Sequence, residues 1–103
     1  MAIAKKDGRI ILSGSLIIND DDEILLLYRR DHKHFETPGG KVDTDECSNP
    51  EDPSIDDLKR TARRELLEEL GSEISIEEMC YLGNVEFSVP DGRLAIAHKF
   101  IVR

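Results

Sequence analysis

An α/β fold is predicted for this chain on three observations. Apolar runs of strand length fill its first third, one amphipathic helix with start and stop signals lies in the middle, and two alternating runs flank a Pro-Asp-Gly turn near the end. At 103 residues the chain is one domain, 1–103, with room for only a modest core. A hydrophobic content of 39% without tryptophan suits a soluble protein of this class.

The first apolar run follows Lys5 and Lys6 but is broken by Gly8, Arg9, Ser13, Gly14 and Ser15, so it is neither a signal peptide nor a membrane span. Residues 9–18, RIILSGSLII, read as a strand kinked at Gly14, and Asn19-Asp20-Asp21-Asp22 reads as a turn. That turn lacks the spacing of a calcium loop and is read as solvated. Glu23 to Tyr28, EILLLY, is a continuous apolar run, expected as a strand buried on both faces that makes a hairpin with residues 9–18.

Arg29 and Arg30 follow directly, two fixed cations where a strand leaves toward the Pro38-Gly39-Gly40 turn. Taken singly, each reads equally well as a surface arginine. His32 and His34 read as surface residues, because one HxH is weak evidence for a ligand. The glycines of the turn let backbone approach a ligand closely.

The helix has Ser54 as its N-cap with Asp57 three residues on, and Gly71 as its stop. Ile55, Leu58, Ala62, Leu66 and Leu70 form one apolar stripe. Glu65, Glu68 and Glu69 stand at i, i+3 and i+4 along its border, within a single turn. Like charges at these spacings repel, and acids in the last turn oppose the helix dipole; together this costs about 1 kcal/mol. Arg64 reaches Glu68 only in the less favourable orientation and is expected to relieve little of it.

Glutamates on helices usually face solvent, but a position beside the apolar stripe predicts that these overhang a groove. A hard dication, Mg²⁺ or Mn²⁺, would remove the conflict and leave coordination positions for water or phosphate. After the helix, ISIEEMCYLGNVEFSV and RLAIAHKFIVR, joined through Pro90-Asp91-Gly92, predict an antiparallel pair. His98 in the second run is given a structural role, with a substrate contact as the alternative.

Cys47 and Cys80 make neither a metal spacing nor a disulfide framework, which fits a reducing, cytoplasmic location. The formal net charge of -8 argues against a long nucleic acid as partner, since no basic face is visible. A small anion remains compatible if metal ions screen the acids.

Residues 38–71 resemble the Nudix box, G-x5-E-x7-R-E-U-x-E-E-x-G-U with U aliphatic. Gly40 and Glu46 match its opening, and Arg64, Glu65, Leu66, Glu68, Glu69 and Gly71 its closing segment. Phe35-Glu36-Thr37-Pro38-Gly39-Gly40 is similar to the family's lead-in. Two departures stand out: the spacer of seven residues is here seventeen, Cys47 to Arg63, and the final aliphatic position is Ser72. The extra residues include SNPEDPS and read as a loop inserted between glycine turn and helix.

The resemblance implies a Nudix-type mixed β-sheet with a catalytic helix, lacking the C-terminal strand and helix of the usual α/β/α sandwich. On that basis the chain is expected to be C-terminally incomplete, or else to shield its open sheet face as a homodimer. It implies metal-dependent hydrolysis of a pyrophosphate bond in a nucleoside diphosphate linked to another group, with a small nucleotide as partner and no membrane.

By resemblance Glu65, Glu68, Glu69 and the Gly39 carbonyl hold the metal, Arg64 orients the acids, Glu65 is the general base, and Glu46 supports the site. Arg30 is the closer match, and Arg29 the neighbour, for a contact to substrate phosphate. A MutT-like action on nucleoside triphosphates, including oxidised ones, is the first expectation for substrate, and ADP-ribose the second. A Nudix-fold domain that binds a nucleotide without cutting it, and a charged fragment with no site, are the rival readings.

Overall fold

The computed structural model describes residues 2–31, 33–71 and 78–102. In chain order the elements are β1 (Lys5–Lys6), β2 (Arg9–Ile17), β3 (Leu27–Arg29), β4 (His34–Glu36), β5 (Gly39–Lys41), a 3-10 turn (Thr44–Glu46), α1 (Ile55–Leu70), β6 (Met79–Ser88) and β7 (Leu94–Val102). β6 and β7 form the antiparallel pair that the Pro-Asp-Gly turn predicts, with a register shift between Tyr81 and Gly83. β7 then pairs parallel to β2 from Ile10↔Ala95 to Ile17↔Val102, which makes the sheet mixed.

The other edge of β2 is shared between β1, at Arg9 and Ile10, and β5, at Leu12 to Gly14. This sharing overturns the predicted hairpin. The turn forms as expected, with Asn19 Oδ1 accepting from the Asp21 and Glu23 amides, each at 2.9 Å. Beyond it, the connections between the two runs among the described residues are the Ile18↔Ile24 bridge and the Leu25 N–H to Ile17 carbonyl bond. In the Ile18↔Ile24 register Leu27 and Tyr28 would face Ser15 and Gly14, but Pro38 and Gly39 already hold those positions, so Leu27–Arg29 pairs with β4 instead. Ile24, Leu25 and Leu26 are accordingly 50%, 39% and 50% exposed rather than buried on both faces.

Gly14 marks no kink either: β2 runs through it in continuous register. A Cβ there would collide with the Pro38 carbonyl, so the glycine is a close-approach position for the loop.

Helix α1 packs its stripe on one face of the sheet, where Leu58, Ala62 and Leu66 join Ile11, Val42, Phe100 and Val102 in the core. Ser13 Oγ donates to the Leu58 carbonyl at 2.7 Å, tying the middle of β2 to the first turns of the helix. Ile55 departs from the predicted stripe and is exposed, since it sits at the first helical position beside the inserted loop. Gly71 closes the helix at φ 86°, a conformation that suits glycine. Ser72, the family departure, lies outside the described residues.

The inserted loop is clamped to the helix start by a complete capping box. Ser54 Oγ accepts from the Asp57 amide at 3.1 Å, while Asp57 Oδ2 accepts from the Ser54 amide at 3.0 Å and from the Ser48 amide at 3.3 Å. These backbone and hydroxyl donors hold the buried Asp57 carboxyl below its usual range. Asp57→Ala is therefore expected to cost about 2 kcal/mol in urea unfolding at pH 7, by leaving two amides without acceptors. A folded-state pKa that is lowered gives stability present above the unfolded value and lost as pH falls through the folded one, so the gap between wild type and variant should close in acid. Equal midpoints at pH 7 would show the clamp to be idle.

Candidate active site

The loop Thr37-Pro38-Gly39-Gly40 runs between the sheet and the second half of α1. It is pinned to β2 by the Gly14↔Gly39 and Ser13↔Gly40 pairings and by the Ser15 amide on the Pro38 carbonyl at 2.9 Å. A Cβ on Gly40 would overlap the Glu65 carboxylate, so glycine here leaves that carboxylate its place against the loop. Glu69 is reached as well, its Oε1 accepting from the Gly39 amide at 3.4 Å.

Arg64 organises the acids. Its Nε and Nη2 grip Glu46 as a fork, both at 2.9 Å, its Nη1 donates to Glu65 Oε1 at 2.9 Å and to Glu68 at 3.2 Å, and Nη2 also reaches the Lys41 carbonyl at 3.1 Å. The expectation that Arg64 relieves little of the acid crowding is thus wrong, because a planar guanidinium serves several carboxylates at once where a helix-only count allows one. Its pKa is raised, first by the hydrogen bonds to Glu46. Burial pushes the Glu46 carboxyl up, but the Arg64 and Asp43 donors outweigh it and hold it below its usual value.

The three helix acids therefore divide. Glu68 is turned to Arg64 and is largely exposed, whereas Glu65 and Glu69 line an open cleft of about 1600 Å³ beside the glycine loop. Burial, then the hydrogen bond and charge of Glu65, push the Glu69 carboxyl up. Among the described residues, no group of three or more His, Cys, Asp or Glu side chains is gathered tightly enough to hold a metal ion. What the loop and helix bring together is a pair of carboxylates.

Arg29 lines the cleft and is bonded to Asp31 at 3.3 Å and paired with Glu36 at 3.5 Å, whereas Arg30 is exposed and does not line it. His34 lines it too and is hydrogen-bonded to Glu36 at 2.6 Å, while His32 lies outside the described residues. His98 does not line this cleft. Its Nδ1 meets the Tyr81 hydroxyl at 2.8 Å, and burial followed by the Lys6 charge lowers its pKa. Cys47 and Cys80 are free thiols.

Part of the cleft wall is apolar: Leu12, Leu27, Tyr28, Val85, Phe87 and Ala97. Sequence reasoning did not identify this wall, which is assembled from four strands. It also passed over Lys99, which lines the cleft from β7 and donates to Thr37 Oγ1 at 2.9 Å. A lone lysine within AIAHKFIV was the available signal.

A family model described as NUDIX domain matches residues 11–102. Among solved structures, the MutT protein from Methanosarcina mazei Go1 is 29% identical, with a TM-score of 0.67 over 92% of this chain and 68% of that one. The E. coli ORF135 protein in solution is also 29% identical, with a TM-score of 0.64 over 96% of this chain and 61% of its own. A NUDIX hydrolase from Nitrosomonas europaea shares the fold at 18% identity, with a TM-score of 0.69 over 91% of this chain and 57% of that one. The chain thus spans between about three-fifths and two-thirds of the length of these neighbours. No protein in the curated comparison matches significantly. Among the described residues, no helix is long and apolar enough to cross a membrane.

Proposed function

The chain belongs to the NUDIX domain family, and from that premise we propose that it hydrolyses a pyrophosphate bond in a nucleoside diphosphate linked to a further group. Our preferred substrate is a nucleoside triphosphate, giving the monophosphate and pyrophosphate; ADP-ribose is the second. The observation that carries this reading is the Glu65–Glu69 pair, two carboxylates crowded beside a glycine loop in a cleft that also has apolar lining able to face a base.

The pair fits a hard dication. Burial and mutual repulsion push Glu69 toward its protonated form, and carboxylate oxygens are the donors that Mg²⁺ and Mn²⁺ prefer. Glu65, Glu69 and the Gly39 carbonyl would hold it, joined by Glu68 on release from Arg64. Bound there, such an ion supplies Lewis-acid polarisation of phosphate oxygens and a lower pKa for the attacking water.

The chain's own residues do the rest. Arg64 holds Glu65 in one position through the 2.9 Å bond, so that the general base is oriented before substrate arrives. Glu65 takes the proton as a water oxygen bonds to phosphorus and the bridging P–O bond breaks, the pyrophosphate leaving as the anion. Glu46 keeps Arg64 in place through the forked pair. On the cleft wall Arg29 is better situated than Arg30 to meet phosphate charge.

One observation favours a second reading, a domain that binds a nucleotide without cutting it: Glu68 is engaged by Arg64 rather than facing the cleft. Incubation of the protein with a panel of nucleoside triphosphates, their oxidised forms and ADP-ribose, with Mg²⁺ or Mn²⁺, separates the two. Pyrophosphate release that stops with EDTA is expected, and phosphorylated sugar as the main product would shift the substrate to ADP-ribose. Binding without any product would leave only the second reading standing.

A further inference from the structure

The half-buried Lys99 has no part in the reading above. It rises from β7 opposite Gly14 of β2, and its Nζ would lie 3.2 Å from a Cβ on that glycine. Its hydrogen bond to Thr37 Oγ1 uses one of three ammonium donors. The charges of Glu36 and Glu69 act on it from the surroundings, but among the described residues neither forms an ion pair with it.

A bracing role for the loop explains little. Residues 37–40 are already tied to β2 by the Gly14↔Gly39 and Ser13↔Gly40 pairings and the Ser15–Pro38 bond, none of which involves Lys99. Among the described residues this half-buried ammonium is hydrogen-bonded only to a neutral hydroxyl, so it has lost hydration without gaining a direct ion pair, and burial outweighs the two more distant acids and lowers its pKa. The cleft that it lines is open to solvent, so that counter-charge can arrive as a ligand.

We propose that Lys99 binds the phosphate chain of the substrate directly, as the cationic counterpart of the helix acids on the sheet side of the cleft. The proposal rests on the nucleotide reading of this cleft and adds a residue to it. In a protein of net charge -8, such a residue gives selectivity for anionic over neutral ligands. Lysine suits the role as a compact point charge whose remaining donors can turn toward a non-bridging oxygen.

The test is calorimetric titration with inorganic tripolyphosphate in the presence of Mg²⁺, which reports on phosphate recognition without base or turnover. Lys99→Met is expected to weaken binding about tenfold or more, the worth of a charge-assisted hydrogen bond. Lys99→Arg should stay within about threefold of wild type, and so should Thr37→Val, which removes only the internal bond. Wild-type affinity in Lys99→Met, equal losses in Lys99→Met and Thr37→Val, or no tripolyphosphate binding by wild type would each overturn the proposal. Should Lys99→Met fail to fold, Lys99→Gln, which keeps a donor for Thr37 without the charge, is read by the same criteria. The hydrolase reading is judged separately by Glu65→Gln turnover, so either proposal can fail while the other stands.

Discussion

Arg64→Ala is expected to lower stability by about 2–3 kcal/mol, between the values for exposed and for fully buried ion pairs. Glu46 has a side chain only 13% exposed and takes both arms of the guanidinium fork, so truncation strands its charge between the 3-10 turn and the helix. The same change frees Glu65 and Glu68 and leaves the Lys41 carbonyl without its side-chain donor. For a domain of this size such a loss lowers the melting temperature by about 8 °C or more. Arg64→Lys should recover only part of it, because an ammonium cannot form the planar fork. A melting temperature within about 2 °C of wild type for Arg64→Ala would show that the network contributes nothing net.

Gly40→Ala should abolish most turnover while leaving the protein folded. The added methyl would occupy the space of the Glu65 carboxylate, and what must move is the far end of a flexible side chain, a small cost to folding. The cost falls on chemistry, since Glu65 leaves the position that Arg64 and the loop assign it. A fall in kcat on the order of 10²–10³-fold is expected, comparable to removing one preorganised electrostatic group, and Glu65→Gln should match it without the steric change. Normal kcat in both variants would remove Glu65 from the chemistry. Normal kcat in Gly40→Ala alone would show that the carboxylate tolerates displacement.

Glu23–Tyr28 illustrates where local reading stops. Six residues of strand composition predicted a buried strand, and the composition was read correctly, but the Gly14–Ser15 part of the β2 edge that it needed is taken by Gly39 and Pro38. Pairing is a competition among segments distant in sequence, and a single run carries no information about its rivals. Arg64 shows the same limit for side chains. A helical wheel places it one turn from Glu68 but cannot show Glu46, which is 18 positions away and enters through the fold of the inserted loop.

The helix with its capping box, the glycine loop and the β6–β7 pair could be read directly from the residues. Each depends on periodicity or turn chemistry within a few positions, where the chain's own geometry decides the outcome. Only the tertiary structure decided that Glu65 and Glu69 face the loop while Glu68 turns to Arg64, that Lys99 reaches the same cleft, and that apolar side chains from four strands line it. Those placements follow from how the loop docks against the helix and from the parallel pairing of β2 with β7. Long-range contacts of this kind are chosen by packing and charge compensation across the whole domain, which no local pattern encodes.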